Sequence, residues 1–149
     1  FRYKHFRTEL APTSGAMGYG FPAAIAAKLR HPDRISLCFA GDGCFLMYPQ
    51  ELATALQFNA AVIVLVVNNG MYGTIRMHQE RRFPGRVSAT DLKTPDFVDL
   101  ARSFGAYAER VESTDAFAGA FERAIESGKP ALLELCTDRH QITPDRTIP

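Results

Sequence analysis

The sequence predicts an α/β protein of three layers, a mainly parallel sheet with helices on both faces. Short apolar, β-branched runs alternate with stretches of helical periodicity, the pattern of strand–helix–strand units. The run "AAVIVLVV", residues 60–67, is apolar at every position, which suits a strand buried on both faces. The connections are mostly short, which favours right-handed crossovers between parallel neighbours.

The elements follow in order. "GYGFPAAIAAKLR" reads as a helix before the first strand, 35–40. Pro49 opens a helix running to about Phe58, and the strand 60–67 follows. "MYGTIRMHQERR" does not alternate and reads as the start of another helix. Residues 80–95 lack clear periodicity, and loops of that length in compact domains are often functional. Phe97, Leu100, Ala101 and Phe104 then recur at helical spacing, with Pro95 near the start and Gly105 after the end. A strand is expected over 106–111. Phe117, Ala120, Phe121, Ala124 and Ile125 mark a helix capped by Ser113 or Thr114 and stopped by Gly128. The strand 131–136 closes the series, and the tail "TDRHQITPDRTIP" reads as a frayed terminus. There is no internal repeat and no low-complexity segment.

A chain of 149 residues is long enough for one domain with a real core, taken here as 1–149. Apolar content is 46% and charged content 22%, ordinary for a globular protein. A net charge of +1 gives no reason to expect nucleic acid or an anionic membrane as partner. Cys38, Cys44 and Cys136 are odd in number and lack paired metal spacing. They read as reduced thiols, which points to a cytoplasmic location. No apolar run reaches spanning length and no stretch reads as a secretory leader. The opening "FRYKHFRTELAPTSG" reads as part of a longer polypeptide.

Ligands of open parallel sheets bind beyond the carboxyl ends of the strands. Gly41-Asp42-Gly43 follows the first strand and Asn68-Asn69-Gly70 the second. Each alone reads as a turn: Asp-Gly and Asn-Gly are common turn signals. Together they supply a carboxylate oxygen from Asp42, an amide oxygen from Asn69, and a backbone turn at Gly70 that lets a nearby carbonyl, that of Met71, point inward. Hard oxygen donors of low total charge suit Mg²⁺ shared with phosphate oxygens. The loops at Gly43–Cys44 and after Gly70 lead into helices, where free N–H groups seat phosphates. A Mg²⁺-bridged diphosphate between two strand–helix loops is the reading these residues support.

"GDG", then 24 residues, then "NN" resembles the cofactor signature of thiamine-diphosphate-dependent enzymes. "TSGAMGYGFPAAIAAKLR" is similar to the stretch before that signature in the acetolactate synthase and 2-keto-acid decarboxylase group. The resemblance covers nearly the whole chain, as the diphosphate-binding (PP) domain with its thiamine diphosphate-binding fold. It implies Asp42, Asn69 and the Met71 carbonyl as Mg²⁺ ligands. It implies Gly41, Gly43 and Cys44 as contacts around the diphosphate, with Tyr72 and Gly73 at the helix start facing the same phosphates. It implies the Gly15 carbonyl, beside Ala16, as acceptor for the cofactor's 4′-amino group. Met17 would be the bulky residue under the thiazolium ring, although core packing is its plain alternative; Gly15 and Gly18 beside it would allow close approach to the backbone.

The implied chemistry is decarboxylation of a 2-keto acid, with the bent cofactor as its own base and electron sink. The glutamate that activates the aminopyrimidine in this family lies in a pyrimidine-binding domain, usually of a neighbouring subunit. Neither Glu51 nor Glu80 has the right context. The isolated chain is therefore expected to be inactive, and the full protein a homodimer or homotetramer with cofactor at the interface. Acetolactate synthases typically read "GMVRQWQ" after the NN motif, where Trp helps select the second keto acid. This chain reads "GTIRMHQ", with His78 at the Trp position. His78 is either a substrate contact or a solvated helix residue. Arg76 meets a substrate carboxylate or pairs with Glu80 at i+4. Arg81, Arg82 and Arg86 form a charge run, solvated, covering the site or binding an acidic group such as the phosphate of coenzyme A. A dedicated decarboxylase and a non-catalytic cofactor-binding remnant are the alternatives. A dinucleotide-binding dehydrogenase is disfavoured, since "GAMGYG" precedes the first clear strand instead of following it.

Overall fold

The computed structural model describes residues 2–143 and 145–148. The order is α1 Gly20–Arg30, β1 Ser36–Gly41, α2 Asp42–Phe45, α3 Glu51–Gln57, β2 Val62–Asn68 and α4 Gly73–Arg82. Then come α5 Phe97–Phe104, β3 Tyr107–Val111, α6 Thr114–Glu126, β4 Ala131–Cys136, β5 Gln141–Thr143 and β6 Arg146–Thr147. The main sheet runs β1-β2-β4-β3 with every neighbouring pair parallel.

The uninterrupted apolar run finds its explanation at the centre of the sheet. Val62, Val64 and Val66 of β2 face one core, with Phe21 and Ile25 of α1, Leu52 of α3 and Phe97 of α5. Ile63 and Leu65 face the other, with Leu133 of β4 and Ala120 and Ala124 of α6. A central strand in this order has no solvent face, so alternation would be destabilising. Phe45 of α2 links the helices of the first core, with ring centroids 5.6 Å from Phe21 and 5.8 Å from Phe97. Coverage of the second face is uneven: α6 lies over β3 and β4, while Phe39 of the edge strand β1 remains 69% exposed.

The helix ends follow local chemistry. The Asp96 side chain accepts from the Asp99 amide at 2.9 Å and starts α5. Of the two candidate caps for α6, Ser113 takes the role, its Oγ accepting from the Ala116 amide at 3.4 Å.

Two expectations need revision. Part of the tail pairs as an antiparallel hairpin, Gln141 opposite Thr147 and Thr143 opposite Arg146. The shortness of β5 and β6 hid the pairing, because strands of three and two residues with a single apolar side chain, Ile142, are too brief to show a period. Asp42 does not sit in an open loop either: it is the first residue of α2, a single helical turn directly after β1.

Candidate functional site

The site forms where the adjacent parallel strands β1 and β2 end. Their register pairs Gly41 with Val67, so the segments that leave them are neighbours. Asp42 is 3% exposed, and its carboxylate is held at both oxygens. Oδ1 accepts from the Gly43 amide at 2.7 Å, and Oδ2 accepts from the Gly70 amide at 2.8 Å. The second bond ties the Gly-Asp-Gly turn to the Asn-Asn-Gly loop. A buried carboxylate demands such partners, because an uncompensated one is strongly penalised.

Gly70 lies at φ +67°, a left-handed backbone that glycine adopts at little cost. This turn brings the Asn69 side chain back on its own loop, where Oδ1 accepts from the Met71 amide at 3.1 Å. The Met71 carbonyl accepts from the Gly73 amide at 2.9 Å as α4 begins. The loop is pinned from outside by the irregular segment after α4. Tyr72 N donates to the Thr90 carbonyl at 2.8 Å and Leu92 N to the Gly70 carbonyl at 2.9 Å. Met71 and Asp91 pair as an antiparallel bridge. Part of the stretch without periodicity is thus a strap along the loop. Thr90 is fully buried in it, its hydroxyl without a hydrogen-bond partner among the described residues.

Tyr72 makes a second tie between the loops. A Cβ added at Gly43 would lie 2.6 Å from the Tyr72 ring and 3.2 Å from Leu92. Only hydrogen fits there. At Gly41 and Gly70 an added Cβ would meet nothing within 4 Å, so space lies open beside both.

The glycine-rich stretch before α1 approaches the same strand end. A hollow of ≈ 220 Å³ is lined by Ala16, Gly18, Phe39, Gly41 and Cys44, among others. A wider one of ≈ 490 Å³ shares Ala16 and Gly18 and is bounded by Met17 and Tyr48. Gly18 at φ +85° passes under the Tyr48 ring, where an added Cβ would lie 2.5 Å from a ring carbon. Met17 is 38% exposed, at the edge of a hollow instead of in the core. Gly15 sits in an exposed segment with open space about it.

The structure therefore brings Ala16, Gly41 and Cys44 to one hollow and Asp42, Asn69, Met71, Tyr72 and Gly73 to the adjoining pair of loops. His78 is exposed on α4. Arg76 is 7% exposed and its guanidinium pairs with Glu80. Glu80 also accepts from the Gly85 amide, and these bonds, that of Arg76 foremost, hold its carboxyl below the usual range. Arg81, Arg82 and Arg86 are exposed. Burial, and to a lesser degree the neighbouring Cys44, pushes the Cys38 thiol up to about 12, so it stays protonated and unreactive.

The donor set is the Asp42 carboxylate, the Asn69 amide oxygen and the Met71 carbonyl. Each already accepts an N–H, and each sp² oxygen keeps a further lone pair. All are hard oxygen donors carrying one negative charge, which suits Mg²⁺ better than a soft metal. Among the described residues there is no cluster of three or more His, Cys, Asp or Glu that could hold a metal otherwise.

Sequence reasoning passed over Glu134, although its signal was present as the lone carboxylate in the apolar run "ALLELC". It is 3% exposed and accepts from Asn68 Nδ2 at 2.7 Å and from Arg110 Nε at 2.9 Å.

Comparison with known proteins gives the family. Residues 1–135 match the family model described as thiamine pyrophosphate enzyme, C-terminal TPP binding domain. The chain is 38% identical over 140 residues to the mitochondrial acetolactate synthase catalytic subunit of Aspergillus candidus, covering 93% of this chain and 20% of the relative. It is 38% identical over 146 residues to a probable acetolactate synthase large subunit of Methanocaldococcus jannaschii, covering 97% of this chain and 25% of the relative. The chain thus spans a fifth to a quarter of the length of these relatives. Among solved structures, the thiamine diphosphate-dependent 4-hydroxybenzoylformate decarboxylase of Rhodococcus jostii RHA1 superposes with a TM-score of 0.77 at 33% identity. The match covers 82% of this chain and 23% of that one.

Proposed function

The chain belongs to the thiamine pyrophosphate enzymes, as a C-terminal cofactor-binding domain of the acetolactate synthase group, and from that premise we propose that it holds the diphosphate end of thiamine diphosphate through Mg²⁺. The observation that carries the proposal is the bond from the Gly70 amide to Asp42 Oδ2. It sets the two loops side by side at the carboxyl end of the sheet, where such ligands bind.

In this reading Asp42, Asn69 and the Met71 carbonyl are the protein's ligands to the cation. The space beside Gly41 receives the diphosphate, together with backbone groups of Gly43, Cys44, Tyr72 and Gly73. Met17, at the rim of its hollow, is the buttress under the thiazolium, and the Gly15 carbonyl, next to Ala16, receives the aminopyrimidine. Thiamine diphosphate supplies a nucleophilic carbon and an electron sink for decarboxylating a 2-keto acid. The chain's contribution is positional: two cross-tied segments, the buried start of α2 and the half-buried Asn-Asn-Gly loop, present fixed oxygen donors and need little reorganisation on binding.

The full protein in this reading decarboxylates a 2-keto acid and joins the product to a second carbonyl, as an acetolactate-synthase-like transferase. The pyrimidine-binding domain of the same or a neighbouring subunit contributes the activating carboxylate, in a homodimer or homotetramer, and the isolated chain is inactive. A dedicated decarboxylase is the second reading, favoured by the name of the solved relative and by His78 in place of the acceptor-selecting Trp.

Melting of the full-length protein, titrated with thiamine diphosphate and Mg²⁺, tests the cofactor. The expected result is a saturable rise that needs both components and is absent in Asp42→Ala. At a hundred times the dissociation constant the stabilisation is about 2.7 kcal/mol. No rise in folded, cofactor-free wild type would remove the proposal. Product analysis with single and paired 2-keto acids then separates ligation from simple decarboxylation.

A further inference from the structure

Glu134 is a buried carboxylate in the second-to-edge strand of the main sheet, where every other residue of β4 is apolar. Burying a charge there is costly unless its oxygens are partnered, and both are. Oε2 accepts from Arg110 Nε at 2.9 Å, and Arg110 continues to Asp96 Oδ2 at 2.6 Å. Oε1 accepts from Asn68 Nδ2 at 2.7 Å.

The bond to Asn68 has a directional effect. An amide that gives its NH₂ to Glu134 must turn its oxygen the other way. Asn68 Oδ1 accordingly accepts from the Gly70 amide at 3.1 Å. The same Gly70 N–H donates to Asp42 Oδ2 at 2.8 Å. One hydrogen is therefore shared between Asn68 and Asp42, and Glu134 determines which atom of Asn68 faces it. With the amide reversed, an NH₂ would oppose the Gly70 N–H and push the loop from Asp42.

We propose that Glu134 is a positioning residue for the Asp42 carboxylate, acting through Asn68 and the Gly70 amide, so that the affinity of the site for its divalent cation depends on a side chain that never touches it. The inference rests on the reading of Asp42 as a cation ligand. Partners one shell out from a metal's ligands commonly change its affinity ten- to a hundredfold.

The test uses the full-length protein as wild type, Glu134→Leu, Glu134→Gln and Ser113→Ala, the last a stability control at the cap of α6, where the Ser113 hydroxyl accepts from the Ala116 amide. Two quantities are read: the Mg²⁺ concentration for half-maximal thermal stabilisation at saturating thiamine diphosphate, and amide hydrogen exchange across residues 68–72 without ligands. Glu134→Leu is expected to raise the Mg²⁺ midpoint ten- to a hundredfold and to speed exchange of 68–72, while Ser113→Ala changes neither. Glu134→Gln can satisfy Asn68 or Arg110 but not both, so its midpoint falls between; it alone decides should the Leu variant fail to fold. A wild-type Mg²⁺ midpoint in the Glu134 variants overturns the inference, whatever exchange does. If wild type shows no Mg²⁺-dependent rise, the cofactor reading fails by itself. Exchange then decides the positioning role: faster in the Glu134 variants upholds it, unchanged overturns it.

Discussion

At the scale of single residues, the loops are held by the smallest available groups. Gly43 lies against the Tyr72 ring, with room for hydrogen but not for a methyl group. Gly43→Ala must displace Tyr72 or the strap at Leu92, and overpacking of this kind costs about 1–3 kcal/mol. Urea unfolding of the apo protein should register that loss. Gly41 is the contrasting case, since an added Cβ there meets no protein atom and the backbone is extended at φ −67°. Gly41→Ala is expected to leave apo stability within about 0.5 kcal/mol of wild type and to weaken thiamine diphosphate binding. An apo loss as large as that of Gly43→Ala would show the space beside Gly41 to be filled by protein.

At the scale of elements, the helices covering the sheet are anchored by caps of unequal quality. Asp96 accepts at 2.9 Å and also pairs with Arg110, whereas Ser113 accepts at 3.4 Å and has no such ion pair. Cap removal costs about 0.5–2 kcal/mol, so Asp96→Ala is expected toward the upper end of that range and Ser113→Ala toward the lower. Equilibrium unfolding of the two variants gives the order, and the reverse order would refute the geometric ranking. Deeper in the layer, Phe97 of α5 is fully buried against Phe45. Phe97→Ala should cost about 3–5 kcal/mol, a large part of the stability of a domain this size.

At the scale of the whole molecule, charge pairs set the response to acid. Asp96 is held below the ordinary carboxylate range, first by the Asp99 amide and then by Arg110. Glu109 is held below it by Arg123 and then Tyr107. A carboxyl that binds its proton less readily in the folded state contributes stability above its unfolded pKa and loses it as pH falls through the folded one. The melting temperature is therefore expected to fall from about pH 5 downward, and less steeply in Asp96→Asn. A profile flat to pH 3 would show that these pairs contribute nothing.

The layered α/β architecture was legible before any coordinates, because the signals for it are local. A strand without a solvent face must be apolar throughout, and "AAVIVLVV" is. A helix against a sheet must repeat its apolar positions at 3.6 residues, and 97–104 and 117–125 do. The two strand-end motifs were legible for a similar reason: each is a short run, and parallel pairing of β1 with β2 puts both ends on one side. Long-range pairing lay beyond such signals. Nothing in "QIT" or "RT" marks a strand pair, since runs of three and two residues are too short to show a period. The strap of Thr90 and Leu92 on the Asn-Asn-Gly loop is made by backbone groups, which every residue carries alike. Glu134 stood out as a carboxylate in an apolar run, but its meeting with Asn68, 66 residues away, follows only from the order in which β2, β4 and β3 come together. Composition and spacing sufficed for the layers, and the motifs at the two strand ends for the family. Which atom of Asn68 faces Gly70, and hence how firmly Asp42 is held, depends on contacts that exist only once the sheet has closed.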